Sequence, residues 1–504
     1  MFTFTLLPHP THHPTNLHFS FQHHPPSTNS FDSCRLAHIH ICICSNCLSS
    51  SKSLNMGSIV KVNPFKGVYK YNRSDVEDEI IKLLTGPPQI IKLNDPYQVY
   101  KHLRHLYEKN GEESTVSYFH HVPIIKLDLS ARRFGEFGGR YAPELQMEAL
   151  STLANHFKDA ICDPGFWNDF LKCGLLEPSP LQLATALTEH AGGANIWLKR
   201  EDLNQYGSHK IRNIVGQILL ALRMGKSEIV MDCGYAGHGL LCAALCEKLD
   251  MKCTIFMGKS DVEAQKLEVW TMEQCGAKVV PSDTGLGCQT IRAALDDAQR
   301  YAVSRFEDAY YIPSGPIGPH PFPLVHRIFQ SFMGEEVKDQ CIKLMSKWPD
   351  AIVAPVGMGS GAVGMFSPFI DNPSVQLVGV QPTSVAPLTT GSVGVLYGAC
   401  TYLLQDEYGQ VLNCSSYAPD LNCPTVGPEL SHWKHISRVE YVEARKDDAV
   451  ENMALFYDLE KFLPSFSTGY AIDKTIQRAK ELGPGKDVVL LVSGHFKLSD
   501  RLDV

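Results

Sequence analysis

The chain has 504 residues, 44% of them hydrophobic and 20% charged, enough to bury at least one large core and to build two or more compact units. A formal charge of -8 and a pI near 6.2 supply no basic field for nucleic acid or an anionic membrane, and no run of 18 apolar residues is present to span a bilayer. The 16 cysteines are scattered through a long, enzyme-like sequence, so reduced thiols and a small-molecule partner are expected.

Residues 1–55 are rich in His, Pro, Ser and Thr, carry a single acidic residue, Asp32, and read as a disordered leader or transit-like segment. Only Arg35 supplies the arginine usual in transit peptides, so plastid and cytoplasm both stay open. Met56 is an alternative start, because the composition changes abruptly there; Lys61 stands where a myristoylation motif wants Ser or Thr. His38, His40, Cys42, Cys44 and Cys47 are spaced like no closed tetrahedral zinc module, and no metal is expected. Residues 56–130 form an accessory N-terminal extension, with helices predicted at DVEDEIIKLL and PYQVYKHLRHLYEKN from apolar residues three and four apart.

From about residue 180, short β-branched runs alternate with helical patterns: ANIWLKR, SEIVMDCG, KCTIFMG, AKVVPSD, DAIVAPVG, VQLVGVQ and DVVLLVSG. Strands separated by helices predict an α/β fold with mostly parallel sheets flanked by helices. Several runs end in Gly, Ser, His or Lys, at the carboxyl ends where open α/β sheets bind ligands. Two such sheets facing each other would leave a cleft suited to a cofactor.

Three segments carry chemistry. In KREDLNQYGSHKIRN, Lys210 sits at a predicted helix start, where positive helix-end potential and partial burial favour the neutral amine that attacks an aldehyde. In VGMGSGAVG, glycines 357, 359 and 361 let the backbone approach a phosphate and Ser360 can donate its hydroxyl. In VVLLVSGH, Ser493 ends a buried strand, where its hydroxyl could face a pyridine nitrogen. Taken singly, these are equally a surface lysine, a strand-to-helix turn and a turn serine.

Their order and wording resemble the tryptophan synthase β family from residue 133 to about 500. The match begins at RFGEFGGRYAPE and continues through PSPLQLATALTEHAGGANIWLKREDLN, RMGKSEIV, GPHPFPLVHRIFQSFMGEE, YLLQDEYGQVL, PTVGPE and VSGH. The resemblance implies a two-lobed, fold-type II enzyme that uses pyridoxal 5'-phosphate and is usually a homodimer, often paired with an α-type subunit that supplies indole. One lobe would span roughly 131–178 and 209–327, the other 179–208 and 328–504. Lys210 would be the Schiff-base lysine. His209 and the loop Gly357, Met358, Gly359, Ser360 and Gly361 would hold the phosphate, and Ser493 would meet the ring nitrogen.

The substrate side departs from the family. The family loop ETGAGQHG reads DCGYAGHG here, so Asp232 is expected as the catalytic carboxylate, one methylene shorter than the family glutamate. A displacement of about 1 Å in such a group costs on the order of a hundredfold in rate. Cys233, Gly234, Tyr235, Ala236, Gly237 and His238 would wrap the amino-acid carboxylate, with Tyr235 bulky where the family has alanine and Gly237 in place of glutamine. Asn422 replaces an aspartate that caps the serine hydroxyl, and Ala264 replaces its arginine partner. Ser467 replaces a glutamate near the cofactor and indole pocket, and Gly361 an asparagine of the phosphate loop. Arg292 keeps a cation where the family places a lysine facing the α subunit.

The family reaction makes L-tryptophan from L-serine and indole by β-replacement, a lyase chemistry, and this activity is the first expectation. Two alternatives stand beside it: a paralogue with another amino acid or nucleophile, and a catalytically weak cofactor-binding partner of a genuine β chain.

Overall fold

In a computed structural model of the protein, which describes residues 132–173, 177–285, 288–416 and 418–495, three sheets are formed. The leader and extension expected over 1–55 and 56–130, with their two helices, lie outside the described residues.

The first sheet has four parallel strands in the order Lys278–Ser282, Lys252–Gly258, Glu228–Cys233 and Ala309–Ile312. The second has six, in the order Glu440–Ala444, Gln376–Pro382, Ala351–Pro355, Asp487–Val492, Asn195–Arg200 and Leu181–Leu183. Its neighbours are parallel except the last pair, which is antiparallel. The third is a small antiparallel sheet of Arg133–Phe134, Phe137–Gly138, Ala399–Leu403 and Ser392–Leu396.

Each of the seven strand-like runs read from the sequence forms a strand, and the α/β expectation holds. The strands Glu228–Cys233, Ala351–Pro355 and Asp487–Val492 are buried along their whole length, which is why they read as continuous apolar runs instead of alternating ones. Ala309–Ile312 and the edge strand Glu440–Ala444 escape the sequence reading, the first for its shortness and the second for its two glutamates.

The helix Ile211–Arg223 is buried from Ile211 to Ala221, enclosed on all sides. Gly216 lets the ring of Phe329 come close, since a Cβ there would lie 2.4 Å from it. Phe329 joins Phe166, Trp167, Phe170 and Phe332 in one aromatic cluster under this helix. Truncating such a ring to alanine costs about 3–5 kcal/mol.

A buried ionic network fixes the same helix to the six-stranded sheet. Lys199 donates to Glu336 at 2.8 Å, and Arg212 bridges Glu336 at 2.7 Å and Glu201 at 2.9 Å. Two cations and two anions balance. Burial alone would raise the Glu201 carboxyl, but Arg212 and Lys199 prevail and hold it below its usual range. Arg212 lies two residues past Lys210, so the network sets where that lysine stands. No disulfide joins two of the described cysteines.

Candidate active site

The carboxyl ends of strands from both large sheets converge on two adjoining pockets that share His209, Lys210, Asp420, Ser467 and Ser493. One pocket is completed by Ser314, Pro355 and the whole loop Gly357, Met358, Gly359, Ser360 and Gly361. The other is completed by Tyr235, His238, Ser465, Phe466 and neighbouring backbone. Lys210 belongs to both.

Lys210 caps the start of the helix Ile211–Arg223 and is 7% exposed. Burial lowers its ammonium pKa, against the attraction of Asp420, Cys233 and Asp232. A neutral amine is the nucleophilic form.

The glycine loop follows the strand Ala351–Pro355 and opens the helix Ser360–Phe366. Gly359 has φ +104° and its Cβ would meet Leu430 at 2.7 Å, so only glycine suits the turn. A Cβ at Gly361 would lie 2.7 Å from Leu491 and 3.8 Å from the His209 ring. This accounts for the asparagine missing from the loop: a longer residue would have to displace Leu491. Ser360 is held by the ring Nε2 of His326 at 2.8 Å.

His209 is buried, and its Nδ1 lies 2.9 Å from the Ser493 carbonyl oxygen, which can only accept. Burial pushes its pKa down to about 4, so at neutral pH its one proton stays on Nδ1. Its Nε2 is buried without a protein partner, and so is Nε2 of His238 in the second pocket. Ser493 shares its hydroxyl with Ser465 at 3.2 Å and Thr468 at 3.3 Å, both at the start of the helix Phe466–Leu482.

The loop expected to meet the substrate is held by buried hydrogen bonds. Asp232 is fully buried, accepts from Tyr311 at 2.7 Å and from the Ser314 amide at 3.2 Å, and is also bonded by the Ser314 hydroxyl. Burial raises its pKa, opposed by those bonds and by Lys210. Asp232, Cys233, Gly234, Ala236, Gly237 and Asn422 are not among the residues lining the two pockets; Tyr235 and His238 are. Cys233 is buried and held protonated, its pKa pushed up to about 12 by burial. The carboxamide of Asn422 bridges the backbone of Ser416, accepting from its amide at 2.5 Å and donating to its carbonyl at 3.3 Å. It staples its own loop.

Three residues that sequence reasoning passed over shape this side. Gln265 accepts from the Ala236 amide at 2.9 Å and donates to the Gly234 carbonyl at 2.8 Å, so it pins the substrate loop. Tyr311 and Ser314 enclose Asp232 as described. A polar residue beside the altered Ala264 was the one available signal for Gln265. Tyr235 donates its hydroxyl to the His495 carbonyl at 3.0 Å, tying the loop after one sheet to the segment after the other.

The residues fit a phosphorylated aldehyde. A glycine loop without room for side chains, an unpartnered imidazole nitrogen beside it and a buried amine whose pKa burial lowers are what phosphate and carbonyl require. Fold and site together define an α/β enzyme whose two large sheets meet at a cavity fitted to a phosphorylated cofactor. The sequence matches the family described as pyridoxal-phosphate dependent enzyme over residues 174–494, and the chain belongs to that family. Pyridoxal 5'-phosphate is its cofactor.

Among curated proteins, tryptophan synthase of Saccharomyces cerevisiae is 42% identical over 374 residues, which cover 72% of this chain and 53% of the yeast protein. The chain thus spans about half the length of that relative. The recognised resemblance is borne out to this extent: the chain is a pyridoxal-phosphate dependent enzyme that is similar to tryptophan synthase. Among solved structures, the processed form of threonine deaminase isoform 2 from Solanum lycopersicum matches with TM-score 0.51 and 19% identity, over 72% of this chain and 87% of that one. A fungal L-serine ammonia-lyase from Rhizomucor miehei matches with TM-score 0.50 and 20% identity, over 64% and 95%. At these identities the likeness is one of fold, that of fold-type II enzymes. Among the described residues no helix is long and apolar enough to cross a membrane.

Proposed function

We propose that the enzyme acts as a lyase at the β carbon of a small amino acid, and that its reaction is β-replacement of L-serine with indole to give L-tryptophan. The observation that carries this reading is the position of Lys210 at the junction of two pockets, one floored by the glycine loop and one roofed by Tyr235 and His238.

When bound, pyridoxal 5'-phosphate supplies an electron sink for a carbanion at the substrate's α carbon. Lys210 anchors the cofactor and moves the α proton. The amides of Gly357–Gly361, the Ser360 hydroxyl and His209 hold its phosphate, and Ser493 faces its ring nitrogen. Because the Nδ1 proton of His209 points at Ser493, Nε2 presents a lone pair; a fully ionised phosphate there favours uptake of a second proton by this ring. Assembly as a homodimer and pairing with an α-type subunit belong to the same proposal. Arg292, the residue suggested for the α-facing surface, donates to Val411 and Asn413 of its own chain, which weakens that one support.

A second reading, another amino-acid substrate, draws on the substrate loop. Gln265 already takes the Ala236 amide and the Tyr235 hydroxyl is bonded to the His495 carbonyl, leaving fewer donors for a substrate carboxylate. Absorbance titration of the cofactor-loaded enzyme decides. L-serine should change the visible band, and indole added next should yield tryptophan. A band that ignores serine and answers to a different amino acid would replace the first reading with the second.

A further inference from the structure

The turn Pro419–Leu421 is pressed between the loops that follow the two large sheets. A Cβ at Gly234 would lie 2.9 Å from the Pro419 carbonyl oxygen, and one at Gly357 would lie 2.7 Å from the Asp420 carbonyl oxygen. Two glycines, one from each side, thus let this turn reach the cavity. Its middle residue, Asp420, lines both pockets together with Lys210. The Ser467 hydroxyl lies 2.7 Å from each carboxylate oxygen and fixes its plane.

We propose that Asp420 is the carboxyl that exchanges a proton with Lys210, with Ser467 as its positioning residue. In the forward step an N–H bond of the Lys210 ammonium breaks, its electron pair stays on nitrogen, and the proton forms an O–H bond on Asp420. The reverse step returns it. The inference rests on the reading of Lys210 given above.

The other ionisable groups facing this pair are poorly suited to the task. Burial disfavours the charged ring in His209, His238 and His326, and His209 faces the phosphate side. The Cys233 thiol is held protonated, and Asp232 is already capped by Tyr311 and Ser314. Asp420 is the strongest attraction felt by Lys210, ahead of Cys233 and Asp232. Burial raises the Asp420 carboxyl toward the range in which it can hold a proton.

The test is a pH titration of the visible band of the cofactor-loaded enzyme. An anion beside the lysine nitrogen favours its protonated form, so Asp420→Asn should lower the midpoint by about one unit or more, or bring a midpoint into view if the wild-type band does not titrate. Asp420→Glu should move it back toward the wild type. Ser467→Ala, which keeps the carboxylate and frees its plane, should give a smaller shift in the same direction, and serves if Asp420→Asn does not fold. Variants whose bands titrate like the wild type would overturn the role of Asp420. A wild-type enzyme with no lysine-linked band would instead overturn the reading of Lys210 on which it rests.

Discussion

The two sides of the cavity contrast. On the glycine-loop side, His209, Gly357 to Gly361 and Ser493, all read from short sequence segments, line the same pocket. On the substrate side, Tyr235 and His238 reach the cavity, whereas Asp232 and Asn422 are bonded into the surrounding structure. A phosphate is held largely by backbone, which a run of glycines can deliver locally. A substrate is read by side chains from distant elements, which only the assembled fold brings together.

The largest effect should fall on the foundation the two sides share. Arg212→Met leaves Glu336 and Glu201 short of a buried partner, and urea denaturation should show a loss of about 3–5 kcal/mol. A loss under about 1 kcal/mol would mean the network does not anchor the lysine helix. Next is the acid response of the cofactor-free enzyme. His209 titrates at 6.5 when unfolded and at about 4 in the fold, so between these values the unfolded state holds the extra proton. Its contribution is complete above pH 6.5 and declines by about 1.4 kcal/mol per pH unit on acidification toward 4. His209→Asn should remove one proton from the slope of stability against pH in that window, and an unaltered slope would place a charged ring in the fold.

Asp232→Glu sharpens the contrast itself. A catalytic carboxylate that is merely too short gains rate when lengthened, but one enclosed by Tyr311 and Ser314 is overpacked. We expect a stability loss of about 1–3 kcal/mol and no gain in turnover; a faster enzyme would support Asp232 as the catalytic carboxylate. An effect of the same size is expected on the cofactor side. Gly359→Ala, with φ +104° and Leu430 in its path, should cost about 1–3 kcal/mol and loosen cofactor retention in dialysis. Unaltered retention would detach the glycine turn from phosphate binding.

Much of this architecture was legible in the sequence. Strands buried on both faces announced themselves as largely apolar runs, the glycine loop sat where one of them ends, and Lys210 sat at the start of a predicted helix. What escaped is long-range. Asp420 stands two residues from the recognised NCPTVGPE segment, but its entry into the cavity depends on glycines 234 and 357, more than 180 and about 60 residues away. The resemblance expects a glutamate at 467; the structure has Ser467 there, bonded to a carboxylate that arrives from 420. Gln265 and Tyr311 act through partners over 25 and nearly 80 residues distant, which no local pattern encodes.

Borohydride reduction of the enzyme loaded with pyridoxal 5'-phosphate, followed by peptide mass analysis, tests the central claim most directly. The pyridoxyl mass should be found on Lys210. Its attachment to a different lysine, or to none, would contradict the account.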